Sequence, residues 1–161
     1  MQKVIIYTDG SCLQNPGGNG GWAAILRHEA SSSEREISGG MATTTNNRME
    51  ITAVLEGLKC LKVPCEVTVV TDSQYVSNSI TKGWVFNWAK KGWRDDKGKP
   101  RLNTDLWKQM LELLNYHKVH IQWIRGHQGH RENERCDRLA KAAAESGSLP
   151  VDQGYLESIA H

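Results

Sequence analysis

Four acidic residues of this chain stand beside apolar segments, where a folded protein usually excludes charge: Asp9, Glu50, Asp72 and Asp137. Asp9 and Asp72 directly follow apolar runs that have the pattern of strands. If the fold brings the four carboxylates together, they repel one another, and divalent cations offset that repulsion. Oxygen ligands without a paired His or Cys favour Mg²⁺ or Mn²⁺ over zinc. These residues therefore predict a metal-dependent site for phosphoryl transfer.

A simpler interpretation of each aspartate is a turn or capping residue, which is the usual role of an Asp after a strand. The two aspartates are more informative as a pair, because Asp9 and Asp72 both end apolar runs and are both followed by small polar residues. A buried carboxylate is costly unless it is protonated, neutralised or coordinated. We therefore favour the metal site over two unrelated turns.

A loop at residues 126–130 has the sequence Gly-His-Gln-Gly-His. The glycines leave His127 accessible, and an imidazole that titrates near neutral pH suits proton transfer. An exposed loop histidine without a chemical role is the alternative. A zinc site built from His127, His130 and the cysteines has poor ligand spacing.

Basic and aromatic residues are concentrated between Lys82 and Arg101. This stretch holds seven basic and two acidic residues, whereas the formal net charge of the whole chain is only +2. Its positive charges and flat rings suit the phosphates and sugars or bases of a nucleic acid. The alternative is a solvated surface whose tryptophans, Trp84 in particular, belong to the core. The residues predicted to contact nucleic acid here are Trp88, Lys90, Lys91, Trp93 and Arg94.

Apolar periodicity predicts three strands followed by alternating helices and strands. The predicted strands cover residues 3–8, 22–26, 35–42, 65–71 and 119–124, and the main helices begin near residues 46, 73, 84, 103 and 132. The Gly-rich loop between the first two strands lacks the ending of a phosphate-binding loop and predicts a hairpin. This order predicts an α/β fold, a five-stranded mixed sheet flanked by helices on both faces, with a basic helical protrusion. In such sheets ligands bind beyond the carboxyl ends of parallel strands, where we expect Asp9 and Asp72.

Length and composition suit one globular domain over residues 1–161, with a core at 3–146 and a mobile tail at 147–161. No apolar run is long enough to span a membrane, and the N-terminus does not have the pattern of a signal peptide. We therefore expect a cytoplasmic monomer with reduced cysteines and no membrane partner.

In combination, the motifs resemble those of bacterial type 1 ribonuclease H over residues 3–146. The matching motifs are Tyr-Thr-Asp9-Gly-Ser, Thr-Asn-Asn-Arg-Met-Glu50, Thr-Asp72-Ser, Gly-His127-Gln-Gly-His130 and Asn-Glu-Arg-Cys-Asp137. The resemblance implies an endonuclease that cuts the RNA strand of RNA–DNA hybrids and leaves 5′-phosphate and 3′-hydroxyl ends. It implies two Mg²⁺ ions, with Mn²⁺ as a substitute, held by the four acids in the substrate complex, and His127 assisting proton movement or product release.

The resemblance also implies substrate contacts. Cys12, Asn15, Asn46 and Gln74 would lie along the minor groove of the hybrid, and Thr45 and Asn103 would hold a phosphate of the DNA strand. By the same resemblance, Trp84, Trp88 and Trp93 match the aromatic positions of the family's basic protrusion, which implies that Trp84 also contacts the substrate. The chain departs from many relatives at Thr43, where they have Arg, and often at Arg131, where they have Pro.

Two rival functions share some of these features, and a third, a purely structural or protein-interaction role, is disfavoured by the acids at the strand ends. A recombinase or transposase core also gathers acids on metals, but usually carries additional DNA-binding domains. A hybrid-binding module without catalysis would not require all four acids and His127.

Overall fold

The computed structural model describes residues 1–126 and 128–160. The strands are β1 (Gln2–Cys12), β2 (Gly20–His28), β3 (Glu34–Met41), β4 (Cys65–Thr71) and β5 (Lys118–Trp123). The helices are α1 (Asn46–Lys59), α2 (Gln74–Thr81), α3 (Trp84–Lys90), α4 (Thr104–Tyr116), α5 (Arg131–Glu145) and α6 (Gln153–Ile159). The predicted order of strands and helices is confirmed up to α5, and α6 is an additional helix in the tail.

One mixed sheet carries the fold, with the strand order β3-β2-β1-β4-β5. β1, β2 and β3 form an antiparallel meander, whereas β4 and β5 extend the sheet in parallel from β1. The predicted fold class is therefore confirmed. β1 lies in the centre, which explains why apolar residues occupy nearly every position at its start.

Helices cover the two faces of the sheet unequally. α1 and α4 pack against one face, where Ile6, Val67 and Val69 join the main core. α5 packs against β1, β2 and β3 on the other face, and a Cβ at Gly21 would overlap the backbone of Ala140 in this helix. This close approach places the middle of α5 directly on the antiparallel strands of the sheet.

The end of β1 differs from the sequence prediction. The apolar pattern predicts an end before Asp9, but the strand continues to Cys12 because its last residues pair with β2, ending at Cys12 opposite Gly20. Its parallel pairing with β4 ends earlier, at Tyr7 opposite Val70. Asp9 is therefore inside a strand, yet it lies beyond the end of the parallel ladder.

The tail after α5 contacts the core. Val151 forms a parallel bridge with Ala42, and the Asp152 carboxylate is buried. α6 follows directly, with Asp152 as its N-terminal cap. The predicted mobility of residues 147–161 stays a prediction. Among the described helices, none combines the length and the apolar character that a membrane span requires.

Candidate active site

Three of the four predicted acids converge at the end of the parallel strands. One carboxylate oxygen from each of Asp9, Glu50 and Asp72 lies within 4.8 Å of the other two. Asp9 comes from β1, Asp72 follows the last residue of β4, and Glu50 lies in the second turn of α1. Residues separated by more than sixty positions thus form one carboxylate cluster.

Close backbone packing places Glu50 against Asp9. Thr45 caps α1, and its hydroxyl accepts a hydrogen bond from the backbone N–H of Arg48. This helix start abuts β1 at Gly10, where a Cβ would overlap the backbone of Glu50. Gly10 therefore permits the distance between strand and helix that brings the two carboxylates together.

Two hydrogen bonds fix the backbone around Asp72. The Ser73 hydroxyl caps α2 by accepting a hydrogen bond from the N–H of Val76 at 3.1 Å. The Asp72 backbone carbonyl accepts a hydrogen bond from the indole N–H of Trp123 at 3.0 Å. A Cβ at Gly126 would lie 2.8 Å from Asp72 Oδ2, so glycine leaves room for the carboxylate.

The carboxylate cluster is electrostatically unfavourable without a counter-charge. Burial, followed by the charge of Asp72 and by the hydrogen bond and charge of Asp137, raises the pKa of Asp9 to about 8. Burial, then the charges of Asp9 and Asp72, raises the pKa of Glu50 well above its usual value. Glu50 Oε1 is buried and has no hydrogen-bond partner among the described residues. An unpaired carboxylate oxygen beside two further carboxylates fits a hard divalent cation, which would replace the missing positive charge.

Asp137 lies at the rim of the same cavity. It projects from α5 and lines the cavity together with the three clustered acids. Its carboxylate forms an ion pair with Lys141 Nζ at 3.1 Å, one helical turn further on. The sequence reasoning missed Lys141, although its spacing of four residues from Asp137 is a visible signal for such a pair. Asp137 is therefore half-buried and already has a partner.

Three of the four predicted groove residues line this cavity, and the fourth, Asn15, lines a neighbouring one. The backbone N–H of Cys12 donates to Asn46 Oδ1 at 2.7 Å, and the N–H of Asn46 donates to Asn15 Oδ1 at 3.0 Å. Cys12, Asn46 and Gln74 line the cavity of the acids, which measures about 470 Å³. The hairpin loop is thus joined to the start of α1 by the side chains that were predicted to read the substrate.

Thr45 and Asn103 line a neighbouring cavity. Asn103 Nδ2 donates to the Tyr75 hydroxyl at 3.2 Å, and Arg48 donates a longer hydrogen bond of 3.4 Å to Asn103 Oδ1. Arg48 is buried, and it also pairs with Asp105 and Asp152. These ion pairs were not predicted, because nothing local to Arg48 indicates partners more than fifty residues away.

The basic protrusion consists of α3 and the following loop to Arg101, and its residues divide into two groups. Lys90, Lys91 and Arg94 are exposed, and Trp84 is 38% exposed, so the interpretation of Trp84 as a core residue is wrong. Trp88 and Trp93 are half-buried against the main core. The guanidinium of Arg101 lies 5.3 Å from the centroid of the Trp88 ring. His127 lies outside the described residues.

Comparison with known proteins agrees with this geometry. The family model described as RNase H matches residues 1–145. The chain belongs to the ribonuclease H family. It is similar to a ribonuclease H from Nitratidesulfovibrio vulgaris strain Miyazaki F, with 55% identity over 157 residues that cover 98% of this chain and 99% of the relative. It is also similar to ribonuclease HI from Haemophilus influenzae strain Rd, with 51% identity covering 97% of this chain and 98% of the relative.

Solved ribonuclease H structures have the same fold. The crystal structure of LC9-RNase H1, described as a type 1 RNase H with the type 2 active-site motif, matches with a TM-score of 0.81 and 32% identity, over 100% of this chain and 82% of that one. The RNase H domain of prototype foamy virus matches with a TM-score of 0.72 and 29% identity, over 89% of this chain and 95% of that one. The predicted family is therefore confirmed, and with it the enzyme class, a metal-dependent endoribonuclease.

Proposed function

We propose that this ribonuclease H cuts the RNA strand of RNA–DNA hybrids internally and leaves 5′-phosphate and 3′-hydroxyl ends. The observation that carries this proposal is the cluster of Asp9, Glu50 and Asp72, with Glu50 Oε1 buried and unpaired among the described residues. A cluster of this kind favours a divalent cation and offers it oxygen ligands alone. Mg²⁺ is the proposed ion, and Mn²⁺ is the proposed substitute.

Two divalent cations, when bound, supply an activated water and stabilise the leaving 3′ oxygen at a backbone phosphate. Asp9 is the proposed shared ligand, because its carboxylate belongs to the cluster with Glu50 and Asp72 and lines the same cavity as Asp137. Glu50 and Asp72 would hold one side of the site. Asp137 would hold the other side once a cation has replaced Lys141 as its partner. His127 is proposed to assist proton movement or product release.

Polar side chains beside the acids are proposed to distinguish RNA from DNA. A 2′-hydroxyl donates and accepts hydrogen bonds, which Asn15, Asn46 and Gln74 can match. The backbone N–H of Cys12 fixes the orientation of the Asn46 amide at this position. Thr45 and Asn103 are proposed to hold a phosphate of the DNA strand. The proposed contacts from the protrusion are Trp84, Trp88, Lys90, Lys91, Trp93 and Arg94.

Monomeric state and cytoplasmic location stay predictions from the sequence.

The decisive experiment compares three labelled duplexes: RNA–DNA hybrid, double-stranded RNA and double-stranded DNA, each incubated with Mg²⁺ or with EDTA. We expect cleavage of the RNA strand in the hybrid alone, and none in EDTA. Asp72→Asn should abolish cleavage while leaving hybrid binding largely intact, because the substitution removes a metal-binding charge and keeps the size of the side chain. Binding without cleavage by the unmodified protein, whichever ion is supplied, would refute the proposed activity and favour a hybrid-binding module.

A further inference from the structure

The C-terminal helix α6 forms one wall of the cavity beside the active site. The lining of this cavity also includes Thr45 and Asn103, the two proposed phosphate ligands. α6 contributes Tyr155, Ser158 and Ile159 to the same cavity. A segment that the sequence motifs do not cover therefore faces the proposed path of the substrate.

The lining of this cavity combines polar and apolar groups. Thr45 and Asn103 offer hydroxyl and amide groups. Leu102 is 71% exposed and Ile159 is 60% exposed, and both line the cavity together with the ring of Tyr155. Exposing two large aliphatic side chains at one cavity contributes nothing to the core of this chain. A nucleic-acid backbone alternates charged phosphates with sugars that have apolar faces, and so it matches a cavity lined by both polar and apolar groups.

A buried ion pair holds this wall in place. Asp152 Oδ2 accepts hydrogen bonds from Arg48 Nε at 2.7 Å and from the Thr44 hydroxyl at 2.6 Å. Asp152 Oδ1 accepts a further hydrogen bond from the backbone N–H of Tyr155 at 3.3 Å. Arg48 belongs to the first turn of α1, the helix that also carries Asn46 and Glu50. α6 is thus positioned against the same helix that provides the site residues, and a preorganised wall loses little entropy on binding.

We propose that α6 is a substrate-binding element of this enzyme. Tyr155 and Ile159 pack against the sugar next to the phosphate held by Thr45 and Asn103, and Ser158 lies between them. This inference rests on the proposed function and adds three residues of the tail to the substrate surface.

A pair of charge-matched variants tests the placement. Ile159→Asp puts a negative charge at the proposed backbone contact, whereas Gln153→Asp puts the same charge on α6 at an exposed residue that lines a different cavity. At low salt, we expect the KM of Ile159→Asp for the hybrid to be about ten times the KM of Gln153→Asp. This ratio should shrink as salt screens the repulsion. The kcat values of both variants should stay close to that of the unmodified enzyme. Equal KM values for the two variants would overturn the proposal.

A second set of variants tests the ring of Tyr155. Tyr155→Ala should raise KM about fivefold, within the range for removing aromatic packing on a nucleic acid, and Tyr155→Phe should retain the original KM. Melting temperatures identify any variant in which α6 has unfolded, and a KM change that follows the melting temperature would count against direct contact. If the unmodified enzyme does not cut hybrid, the proposed function fails. If the unmodified enzyme cuts hybrid but Ile159→Asp and Tyr155→Ala have the same KM as Gln153→Asp, this inference alone fails.

Discussion

At the scale of single residues, the active-site acids oppose folding when no cation is present. Asp9 and Glu50 have raised pKa values because burial and neighbouring carboxylates disfavour their charged forms. Glu50 Oε1 lacks any hydrogen-bond donor among the described residues. The same arrangement that binds metal is therefore a local source of instability, as functional sites often are.

This arrangement predicts how stability depends on pH in EDTA. The pKa of Asp9 rises from its ordinary value of 3.8 to about 8 in the folded protein. Between these values the folded state holds a proton that the unfolded state has released. The contribution of Asp9 to stability is therefore greatest at low pH, falls as pH rises from 3.8 to about 8, and is constant above that. Asp9→Asn should flatten this slope, and at pH 8 it should increase the free energy of unfolding by at least about 1.4 kcal/mol, the equivalent of one pKa unit.

Denaturant unfolding in EDTA at pH 5 and pH 8 measures this effect. Asp96→Asn is a suitable control, because Asp96 is an exposed acid in the basic protrusion. A pH dependence as steep in Asp9→Asn as in the unmodified protein would contradict the assignment of the destabilisation to Asp9, whereas a smaller remaining slope is expected from Glu50, whose pKa is also raised.

At the scale of elements, the contact between β1 and α1 determines whether Glu50 reaches Asp9. Gly10 leaves no space for a side chain at this contact, because a Cβ would meet the backbone of Met49 and Glu50. Backbone atoms of a packed helix cannot rotate away as a flexible side chain can. A substitution at Gly10 must therefore displace the helix itself.

Gly10→Ala should lower the free energy of unfolding by about 2 kcal/mol or more, within the range for overpacked sites. It should also reduce kcat, because α1 carries Glu50. Gly147→Ala is the matched control, since a Cβ at Gly147 has no neighbour within 4 Å. Unfolding and cleavage assays on both variants measure the two effects, and an unchanged kcat in Gly10→Ala would show that the contact does not position Glu50.

The basic protrusion predicts the salt dependence of substrate binding. Replacing Lys90, Lys91 and Arg94 with glutamine should weaken hybrid binding and reduce the slope of log K against log salt by about 0.9 for each phosphate that is no longer neutralised. The control replaces Lys3, Lys62 and Lys118, which lie near the starts of β1, β4 and β5, at the opposite end of the sheet from Asp9 and Asp72. Binding titrations across a salt series distinguish the two triple variants. An unchanged slope in the first variant would remove the protrusion from the binding surface.

At the scale of the whole molecule, Arg48 joins three distant parts of the chain. Its guanidinium pairs with Asp105 at the start of α4 and with Asp152 in the tail, at 2.6 Å and 2.7 Å. Both Arg48 and Asp152 are buried, so removing Asp152 leaves the buried guanidinium with the half-exposed Asp105 as its remaining acidic partner among the described residues.

Asp152→Ala should therefore lower the free energy of unfolding by about 2–4 kcal/mol, because the buried Arg48 Nε and the Thr44 hydroxyl lose their acceptor. The control, Asp96→Ala, breaks the exposed pair with Lys91 at 3.8 Å and should cost no more than about 1 kcal/mol. Chemical denaturation of both variants measures the difference. An equal loss of unfolding free energy in the two variants would show that the tail is not held by its buried ion pair.

The sequence alone was sufficient for the order of the elements and for the candidate acids. Apolar periodicity and turn residues are local properties, and they placed each strand and helix up to α5 within a few residues. The acids were recognisable because Asp9 and Asp72 follow apolar runs, and because Glu50 and Asp137 belong to motifs that resemble those of ribonuclease H.

Tertiary structure decided what local patterns do not encode. β1 extends to Cys12 because β2 pairs with it, and Trp88 rather than Trp84 packs into the core because Trp107 is its neighbour. The pairing of Arg48 with Asp152 spans 104 positions, and the cavity wall formed by α6 depends on it. Each of these features joins distant segments, and its energy depends on how the folded chain brings them together rather than on the residues adjacent to each one in sequence.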